Sequence, residues 1–372
     1  MRKIIIMKAG ALVVLFLALL TARDAFGAPK KARIFVVDSY HREYLWSQDT
    51  HAGVCVALLE FGFLDDQKQV IEYTENDHVE SSRAVVRKVW MNTKRKNALG
   101  EIAAAASRIS EAAKAFGPDI ILLGDDDAAN YIGNLYIDTK IPVVFWGING
   151  IPLKYGLIDS IEKPGHNITG IYQANYLKES VEFLKQLVPG VRTLAVLSED
   201  SSTGRPKAKE LERLAAEGKL AIKLAATVMT NSWSEWKSAA LRLQKEVDAF
   251  FVLNHNTLKD DQGRPVDQLK IGAWYLRNIR KPECGHEKQF ALEGLLLVVD
   301  DSGFKQGYEA VKLAYQILVQ GKNPGDIPVR APARGPVIVN RKRADMLGID
   351  LSGKAFIEEF IDHSLALEKY LQ

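Results

Sequence analysis

Several features that mark large classes of protein are missing from this sequence. Only two of its 372 residues are cysteines, Cys55 and Cys284, and they form no CxxC pair of the kind that binds zinc. GxSxG, HExxH, the Walker A loop and a dinucleotide-binding GxGxxG after a strand are also absent. We therefore predict that the protein is not an enzyme and has no catalytic residue, cofactor or metal. A hydrolase that uses the acidic residues described below is the enzymatic alternative.

The two cysteines leave a disulfide open. An exported chain could pair Cys55 with Cys284. Cys55, however, lies in the apolar helical pattern of residues 54–59, which is typical of a small buried thiol. The sequence supports both alternatives at this point.

Long apolar runs are confined to the first 27 residues. Basic residues at positions 2, 3 and 8 precede an apolar stretch at residues 9–22, and Ala25-Phe26-Gly27 follows. This pattern is typical of a secretory signal that is cut after Gly27. The stretch is too short to span a membrane comfortably, although an uncleaved anchor is the alternative. We therefore expect a soluble mature chain in the periplasm.

An excess of charge is also missing once this leader is set aside. The whole chain has a formal net charge of +3, and the leader carries four Lys or Arg and one Asp, so the remainder is neutral. Nucleic-acid binders need a concentrated basic face, so we expect no nucleic-acid partner. Two short basic runs, residues 94–96 and 341–343, are interpreted as solvent-exposed helix faces.

Strand and helix patterns alternate along the chain, which favours an α/β fold with parallel sheets. The length predicts two domains. We assign residues 28–148 and about 300–328 to one lobe, and residues 149–299 and about 329–372 to the other. The main predicted strands are residues 33–38, 69–73, 120–123, 141–145, 193–197, 220–228, 249–253, 295–299 and 337–340.

The segment from residue 141 to residue 170 connects these two series. Its apolar strand, residues 141–145, breaks into Gly147, Asn149 and Gly150, and a second turn follows at residues 167–170. Open α/β sheets place their ligand crevice where strands end in such loops. No long helix separates the two turns, so we interpret the segment as a cleft edge followed by the first hinge.

A family resemblance rests on motifs that keep their order along most of the chain. They are residues 141–145, 156–158, 164–170, 301–307 with Leu318 and Gly321, 327–329, 337–340 with Ala344, and 347–349. Together they resemble the periplasmic solute-binding proteins of the ABC-transporter substrate-binding family, whose known members include binders of aromatic amino acids. The resemblance implies a type I periplasmic-binding-protein fold, with two Rossmann-like lobes around a cleft and a hinge of three crossings.

Other motifs resemble one branch of that family, which is often built into or encoded beside sensory proteins. These motifs are Ser39-Tyr40-His41 with Tyr44, Trp46 and Gly53, then residues 125–128 and residues 143–149. Ordinary transport members carry Gly-Thr or Gly-Ser where this chain has Gly124-Asp125, and often Asp-Asn near His255-Asn256. These departures argue against transferring the amino-acid ligand of the best-known relatives.

The resemblance also implies the partners. A monomeric binding protein of this kind captures a small molecule, here an amino-bearing or aromatic one, and presents it to a membrane ABC permease. The alternative, implied by the sensory branch, is a ligand-sensing subunit for a membrane sensor kinase or cyclase without transport.

The candidate ligand-binding residues follow from the rule that ligands meet the carboxyl ends of strands. We expect residues from both lobes and from one crossing, together with an aromatic side chain near the first strand end. The candidates are Ser39, Tyr40, His41, Trp46, Asp125, Asp126, Trp146, Asn149, Ser201, Asn254, His255, Asn256 and Asp301.

Three consecutive carboxylates, residues 125–127, are the most unusual group among the candidates. They could cap a helix N-terminus. Alternatively, Asp125 or Asp126 could face the cleft and hold a cationic or hydroxyl-bearing ligand, since a buried carboxylate needs a partner. A divalent cation is the third interpretation, although no calcium-loop spacing follows.

The aromatic and histidine candidates also have ordinary structural alternatives. Tyr40, Tyr44, Trp46 and Trp146 could form a wall for a flat ring or a cation, or they could pack as half-buried aromatics. His41 and His255 could bind a ligand or act as a pH-sensitive latch, or they could be polar surface residues.

Overall fold

Two separate β-sheets organise the part of the chain that the structure describes. The structure is a computed structural model, and it describes residues 30–149 and 151–370. The predicted leader and its cut after Gly27 lie outside these residues. Within the described ranges, no helix is long and apolar enough to cross a membrane. The strands are β1 (Ala32–Asp38), β2 (His78–Glu80), β3 (Ala84–Trp90), β4 (Ile120–Gly124), β5 (Val143–Asn149), β6 (Ile168–Gln173), β7 (Thr193–Ser198), β8 (Lys223–Met229), β9 (Ala249–Val252), β10 (Glu283–Gly285), β11 (Leu297–Val299), β12 (Val337–Asn340) and β13 (Glu359–Ile361).

Helices cover the faces of both sheets. Short 3₁₀ turns at Pro152–Tyr155 and Pro324–Asp326 and a π turn at Ala129–Gly133 supplement them. The helices are α1 (Leu45–Glu60), α2 (Gln67–Asn76), α3 (Leu99–Phe116), α4 (Asp125–Ala128), α5 (Leu177–Leu187), α6 (Gly204–Ala216), α7 (Trp233–Leu243), α8 (Gln268–Asn278), α9 (Lys288–Glu293), α10 (Gly303–Leu318), α11 (Arg341–Leu347) and α12 (Leu365–Tyr370).

The first lobe has the strand order β2-β3-β1-β4-β5-β6, and only β2 runs antiparallel to its neighbour. The second lobe has the order β13-β12-β11-β10-β9-β7-β8, in which β11 and β12 are the antiparallel pair. Successive strand residues point to opposite faces, so each sheet has an apolar core on both sides. The predicted α/β fold of two mostly parallel sheets is therefore confirmed.

The chain passes between the lobes three times. The first passage follows β6, the second joins β11 to α10 through residues 300–302, and the third leads to β12 after Arg330, which still pairs with Ile171 of β6. Because β6 completes the first sheet, the chain leaves that lobe after Gln173. The boundary assigned at residue 149 is too early, since the second turn of that segment precedes one more strand.

One predicted strand is a helix. Residues 69–73 belong to α2, whose N-cap Asp66 accepts hydrogen bonds from the backbone N–H groups of Lys68 and Gln69. Short apolar runs fit either period, so the cap decided the structure here. Strand β3 was not predicted, because Arg87 and Lys88 interrupt its apolar pattern. Lys88 is nevertheless buried and pairs with Asp38 at 3.3 Å.

Both cysteines are free and buried. Cys55 belongs to a core of the first lobe and Cys284 to a core of the second. Burial raises the pKa of both thiols above the usual range. The interpretation of Cys55 as a small buried thiol is therefore correct.

Candidate functional site

The two lobes face each other across a cleft that their strand ends border. A buried ion pair spans it: Lys94, which follows β3, donates from Nζ to Glu199 Oε1 at 2.7 Å and to Thr203 Oγ1 at 2.9 Å. The side chains of Lys94 and Glu199 are only 3% and 0% exposed. The prediction that residues 94–96 are a solvent-exposed face is therefore wrong for Lys94, because the second lobe covers it.

Glu199 is the most heavily bonded acceptor in the cleft. It follows β7 and also accepts the backbone N–H groups of Asn256 at 2.5 Å and Thr257 at 2.9 Å. Burial alone would raise its pKa, but the Lys94 ammonium and these hydrogen bonds lower the pKa to about 2. The carboxylate is therefore charged, and its charge is balanced by an ammonium of the opposite lobe.

An open cavity of about 720 Å³ lies beside this ion pair. Ser202 Oγ donates across it to Asp127 Oδ1 at 3.0 Å. Among the predicted site residues, Tyr40 and Ser201 line the cavity. The other lining residues that matter here are Thr93, Lys94, Asp127, Lys154, Tyr155, Ser202 and Arg205.

The three consecutive aspartates of α4 have three different environments. Asp127 contacts the second lobe through Ser202, as described above. Asp126 accepts hydrogen bonds from Asn149 Nδ2 at 2.6 Å, Lys154 Nζ at 2.9 Å and Tyr155 OH at 2.7 Å, all within the first lobe. Asp126 and Asn149 therefore position the 149–155 segment. Of the two candidate aspartates in α4, Asp125 is therefore the one with a carboxylate oxygen that has no hydrogen-bond partner among the described residues.

Asp125 is held in an unusual backbone conformation. Its φ angle is 69°, in the left-handed region that non-glycine residues seldom occupy. Trp46 Nε1 donates to Asp125 Oδ1 at 2.8 Å, whereas Oδ2 has no partner among the described residues. Gly147 packs against the carboxylate, and a Cβ there would lie 2.4 Å from Oδ1. Burial, reinforced by the nearby Asp38 carboxylate, raises the pKa of Asp125 well above its usual range.

Three aromatic side chains cluster at this end of the first lobe: Tyr40, Tyr44 and Trp46. The rings of Tyr40 and Tyr44 are 5.1 Å apart and almost perpendicular, and Lys94 Nζ lies 4.7 Å from the Tyr40 ring centroid. Tyr44 OH accepts from Asn256 Nδ2 at 2.8 Å. It also accepts from Gln289 Nε2 at 3.2 Å. The aromatic group therefore contacts the second lobe directly.

Two candidate residues lie in cores and not in the cleft. Trp146 is fully buried on β5, in a core of the first lobe, where Gly124 leaves space for its ring. His255 contacts Glu293 Oε1 at 2.8 Å and packs near Trp236 inside the second lobe. Burial lowers the pKa of His255, but Glu293 outweighs it and raises the pKa above the usual value. A strand-end position did not reveal which side of the strand each ring occupies.

The remaining candidates hold neighbouring elements in place or line smaller cavities near the cleft. Ser39 bonds to Gly124 O at 2.6 Å and Ala128 N at 2.8 Å, which anchors α4. Asn254 Oδ1 accepts from Lys207 Nζ at 2.9 Å, and Asp301 Oδ2 accepts from the N–H of Asn175 at 2.7 Å between two crossings. His41 lines two smaller surface cavities, and burial and the Arg95 charge lower its pKa to about 4.

Several residues of the cleft were not predicted from the sequence. Lys94 belongs to a run of three basic residues, a pattern that is typical of an exposed surface. Lys207 lies on the buried face of α6, where the spacing of the residues suggests an apolar side chain. Gln289 sits on α9, a short helix that the sequence analysis does not assign. The strand-end rule would have found Glu287, because it lies two residues after the end of β10. Among these unpredicted residues are Lys94, Thr203, Lys207, Glu287, Gln289 and Gln306, together with Lys154, Tyr155 and Arg205 of the cavity lining.

Two buried carboxylates at the second crossing make stability depend on pH. Burial and neighbouring acids raise the pKa of Asp300 to about 7 and that of Asp301 to about 6, whereas an unfolded Asp titrates near about 3.9. Between about pH 4 and pH 7 the folded state therefore binds more protons, and each group lowers stability as pH rises.

We expect Asp300→Asn to gain stability over the wild type with rising pH, by roughly 1 kcal/mol per pH unit. Urea unfolding at several pH values measures this difference; a difference that stays constant between pH 4 and pH 7 would contradict it.

Comparisons with known proteins agree with this geometry. A family model described as ABC transporter substrate binding protein matches residues 86–359. A tyrosine-binding protein from Clostridioides difficile is 25% identical over 228 residues, which span 60% of this chain and 63% of that protein. The chain therefore matches less than two thirds of that relative's length.

Solved structures with low sequence identity share the fold. The ABC domain from Streptococcus pneumonia in complex with L-Trp has a TM-score of 0.67 and 22% identity, covering 89% of this chain and 100% of that one. A conserved domain protein from Vibrio cholerae has a TM-score of 0.70 and 18% identity, with the same coverage. These structures confirm the two-lobe periplasmic-binding-protein fold. Since the family model covers most of the chain, the protein belongs to the ABC transporter substrate-binding protein family.

Proposed function

We propose that this chain is an exported solute-binding protein that closes two lobes on a small ligand and delivers it to an ABC permease. The observation that carries the proposal is the set of buried polar contacts between the lobes, chiefly Lys94 with Glu199 and Tyr44 with Asn256. Each lobe has apolar cores of its own, so these contacts are not needed to hold either lobe together. They can therefore form and break as the lobes close and open.

The cavity and the leader support the two further parts of this proposal. A cavity of about 720 Å³ lined by both lobes suits a small organic molecule. The tyrosine-binding protein and the L-Trp complex show that small ligands occur among similar proteins. The secretory pattern of residues 1–27 favours export to the periplasm.

Binding without turnover tests the proposal. A captured ligand at 100 times its dissociation constant should raise the free energy of unfolding by about 2.7 kcal/mol. Lobe closure should also reduce the radius of gyration measured by small-angle X-ray scattering. Mass spectrometry should recover the ligand unchanged. Conversion of the ligand into a product, or stabilisation without contraction, would contradict capture by closure.

The membrane partner separates transport from sensing. In proteoliposomes, the ligand-loaded protein should stimulate ATP hydrolysis by its permease, and cross-linking in membranes should capture permease subunits. A sensor kinase or cyclase is the second candidate partner, favoured by the resemblance of residues 39–46 and 125–128 to the sensory branch. Capture of such a sensor, without any permease, would replace the transport role and leave ligand capture intact.

A further inference from the structure

Unsatisfied hydrogen-bond acceptors are concentrated where the lobes and crossings meet. Some buried Asn and Gln side chains among the described residues have an amide atom without a hydrogen-bond partner. In each of them that atom is the oxygen. The indole N–H groups without a partner, those of Trp146 and Trp236, lie instead in the cores of the individual lobes. The buried acceptors of the lobe interface and the first crossing are Asp125 Oδ2, Asn149 Oδ1, Gln173 Oε1, Asn175 Oδ1, Asn256 Oδ1 and Gln289 Oε1.

Neighbouring carboxylates fix the orientation of two of these amides. Gln289 Nε2 donates to Glu287 Oε2, and Asn149 Nδ2 donates to Asp126 Oδ2. A carboxylate can only accept, so the amide nitrogen must face it and the amide oxygen must point away. A buried acceptor without a donor costs roughly 1–3 kcal/mol, so these oxygens favour a partner rich in N–H groups.

One buried carboxylate beside the cleft, Asp125, favours a cationic partner. Lys94 is already paired with Glu199, and Lys207 with Glu287. Asp125, by contrast, is bonded only to the neutral indole of Trp46, although its side chain is buried. Burial of a charged carboxylate without a cation is unfavourable, so burial favours the protonated form of Asp125, and a bound cation would favour its charged form.

The protein's own ammonium group shows that this part of the cleft stabilises such a cation. Lys94 Nζ lies over the rings of Tyr40 and Tyr44, at 4.7 and 5.6 Å from their centroids. Aromatic faces attract cations through the ring quadrupole. The same Tyr44 also joins Asn256 and Gln289, so the unsatisfied amide oxygens lie next to the aromatic group.

We propose that the ligand is an organic cation without a carboxylate, an amine or guanidinium compound whose N–H groups bond to Asp125, Asn256 and Gln289. This inference rests on the proposed function, since it assumes capture between the lobes. The three residues do not line the cavity of about 720 Å³; they lie beside the aromatic group of Tyr40, Tyr44 and Trp46, and Tyr40 lines that cavity. An added carboxylate would approach Asp125 and the amide oxygens of Asn256 and Gln289, and would find acceptors in place of donors. Like-charge contacts and unpaired acceptors of this kind reject a ligand more strongly than a small misfit of shape does.

Matched pairs of compounds test the ligand class. Tyramine and L-tyrosine, agmatine and L-arginine, and cadaverine and L-lysine differ only in the α-carboxylate. Titration calorimetry and thermal shifts on the mature chain should show binding by at least one amine, with its amino acid at least about tenfold weaker. Equal or tighter binding of the amino acids overturns the inference while leaving capture intact.

Binding by none of the three amines also overturns the inference. The proposed function is then judged separately. Contraction of the protein on addition of a dialysable periplasmic extract would keep the capture role, and no contraction would remove it as well.

A charge-neutral variant tests the assigned residue. Asp125→Asn keeps the side-chain shape and an oxygen for Trp46, and asparagine tolerates the φ angle of 69° at this position. We expect it to weaken binding of the preferred amine at least about tenfold while circular dichroism stays unchanged. Asp261→Asn removes one negative charge from an exposed turn, and Asp261 has no contact with the three assigned residues, so affinity should stay unchanged. Equal affinity of Asp125→Asn and the wild type would overturn the assignment.

Discussion

Replacement of Lys94 by methionine is expected to shift the two lobes towards the open state by on the order of 100-fold. The change leaves Glu199, whose side chain is 0% exposed where the two lobes meet in this structure, without its cation. Loss of one partner from a buried ion pair costs about 3–5 kcal/mol, and about 3 kcal/mol corresponds to a factor of about 100. The penalty falls on closure and not on folding, because opening returns Glu199 to water. Small-angle scattering of the ligand-bound variant should show a larger radius of gyration, with proportionally weaker ligand affinity.

Two further variants make this result specific. Lys96→Met changes an exposed lysine of the same segment and should leave closure unaffected. Adding Glu199→Gln to Lys94→Met removes the unpaired carboxylate charge and should shift the equilibrium part of the way back towards the closed state. If Lys94→Met stays as closed and binds as tightly as the wild type, the ion pair does not contribute to closure.

Replacement of Lys207 by methionine is expected to destabilise the second lobe by about 3–5 kcal/mol. Lys207 Nζ contacts Glu287 Oε1 at 3.0 Å and Asn254 Oδ1 at 2.9 Å inside that lobe. Burial would raise the pKa of Glu287, but Lys207 and His286 lower it below its usual range. Because the pair lies within one lobe, opening the cleft cannot relieve the loss. Calorimetry should show a fall in Tm of roughly 10 °C.

The same helix supplies the control. Lys209→Met alters an exposed lysine of α6, two residues away, and should change the free energy of unfolding by less than about 0.5 kcal/mol. Adding Glu287→Gln to Lys207→Met should recover a large share of the stability, since no charge then stays buried without a partner. A loss below about 1 kcal/mol for Lys207→Met would show that water or His286 compensates the carboxylate.

Local patterns predicted much of the fold. The strands at residues 33–38 and 141–145 were found because buried parallel strands are continuous apolar runs, and helix caps mark their own positions. The same local rule failed at residues 69–73 and at β3. At residues 69–73 the N-cap Asp66 favours a helix. At β3 the buried Lys88 interrupts the apolar pattern by which a strand is recognised.

The candidate site was predicted less completely than the fold. The strand-end rule located Tyr40, Asp125 and Asn256 near one another, and the structure brings them together through Tyr44. It also selected Trp146 and His255, which point into cores, because position along a strand does not reveal the side that a residue faces. Lys94 was interpreted as exposed because a basic run normally is.

The sequence by itself determined what depends on neighbouring residues: the leader pattern, the two αβ series, and the strand ends that border a cleft. These features follow from periodicity and turn chemistry, which act over a few residues. Only the tertiary structure decided which charges are balanced. Lys94 and Glu199 lie 105 positions apart on different lobes, and Asp125 has an indole where a cation would be needed. Pairing of this kind depends on how the lobes meet, and therefore the charge of the ligand could be inferred only after the lobes were placed together.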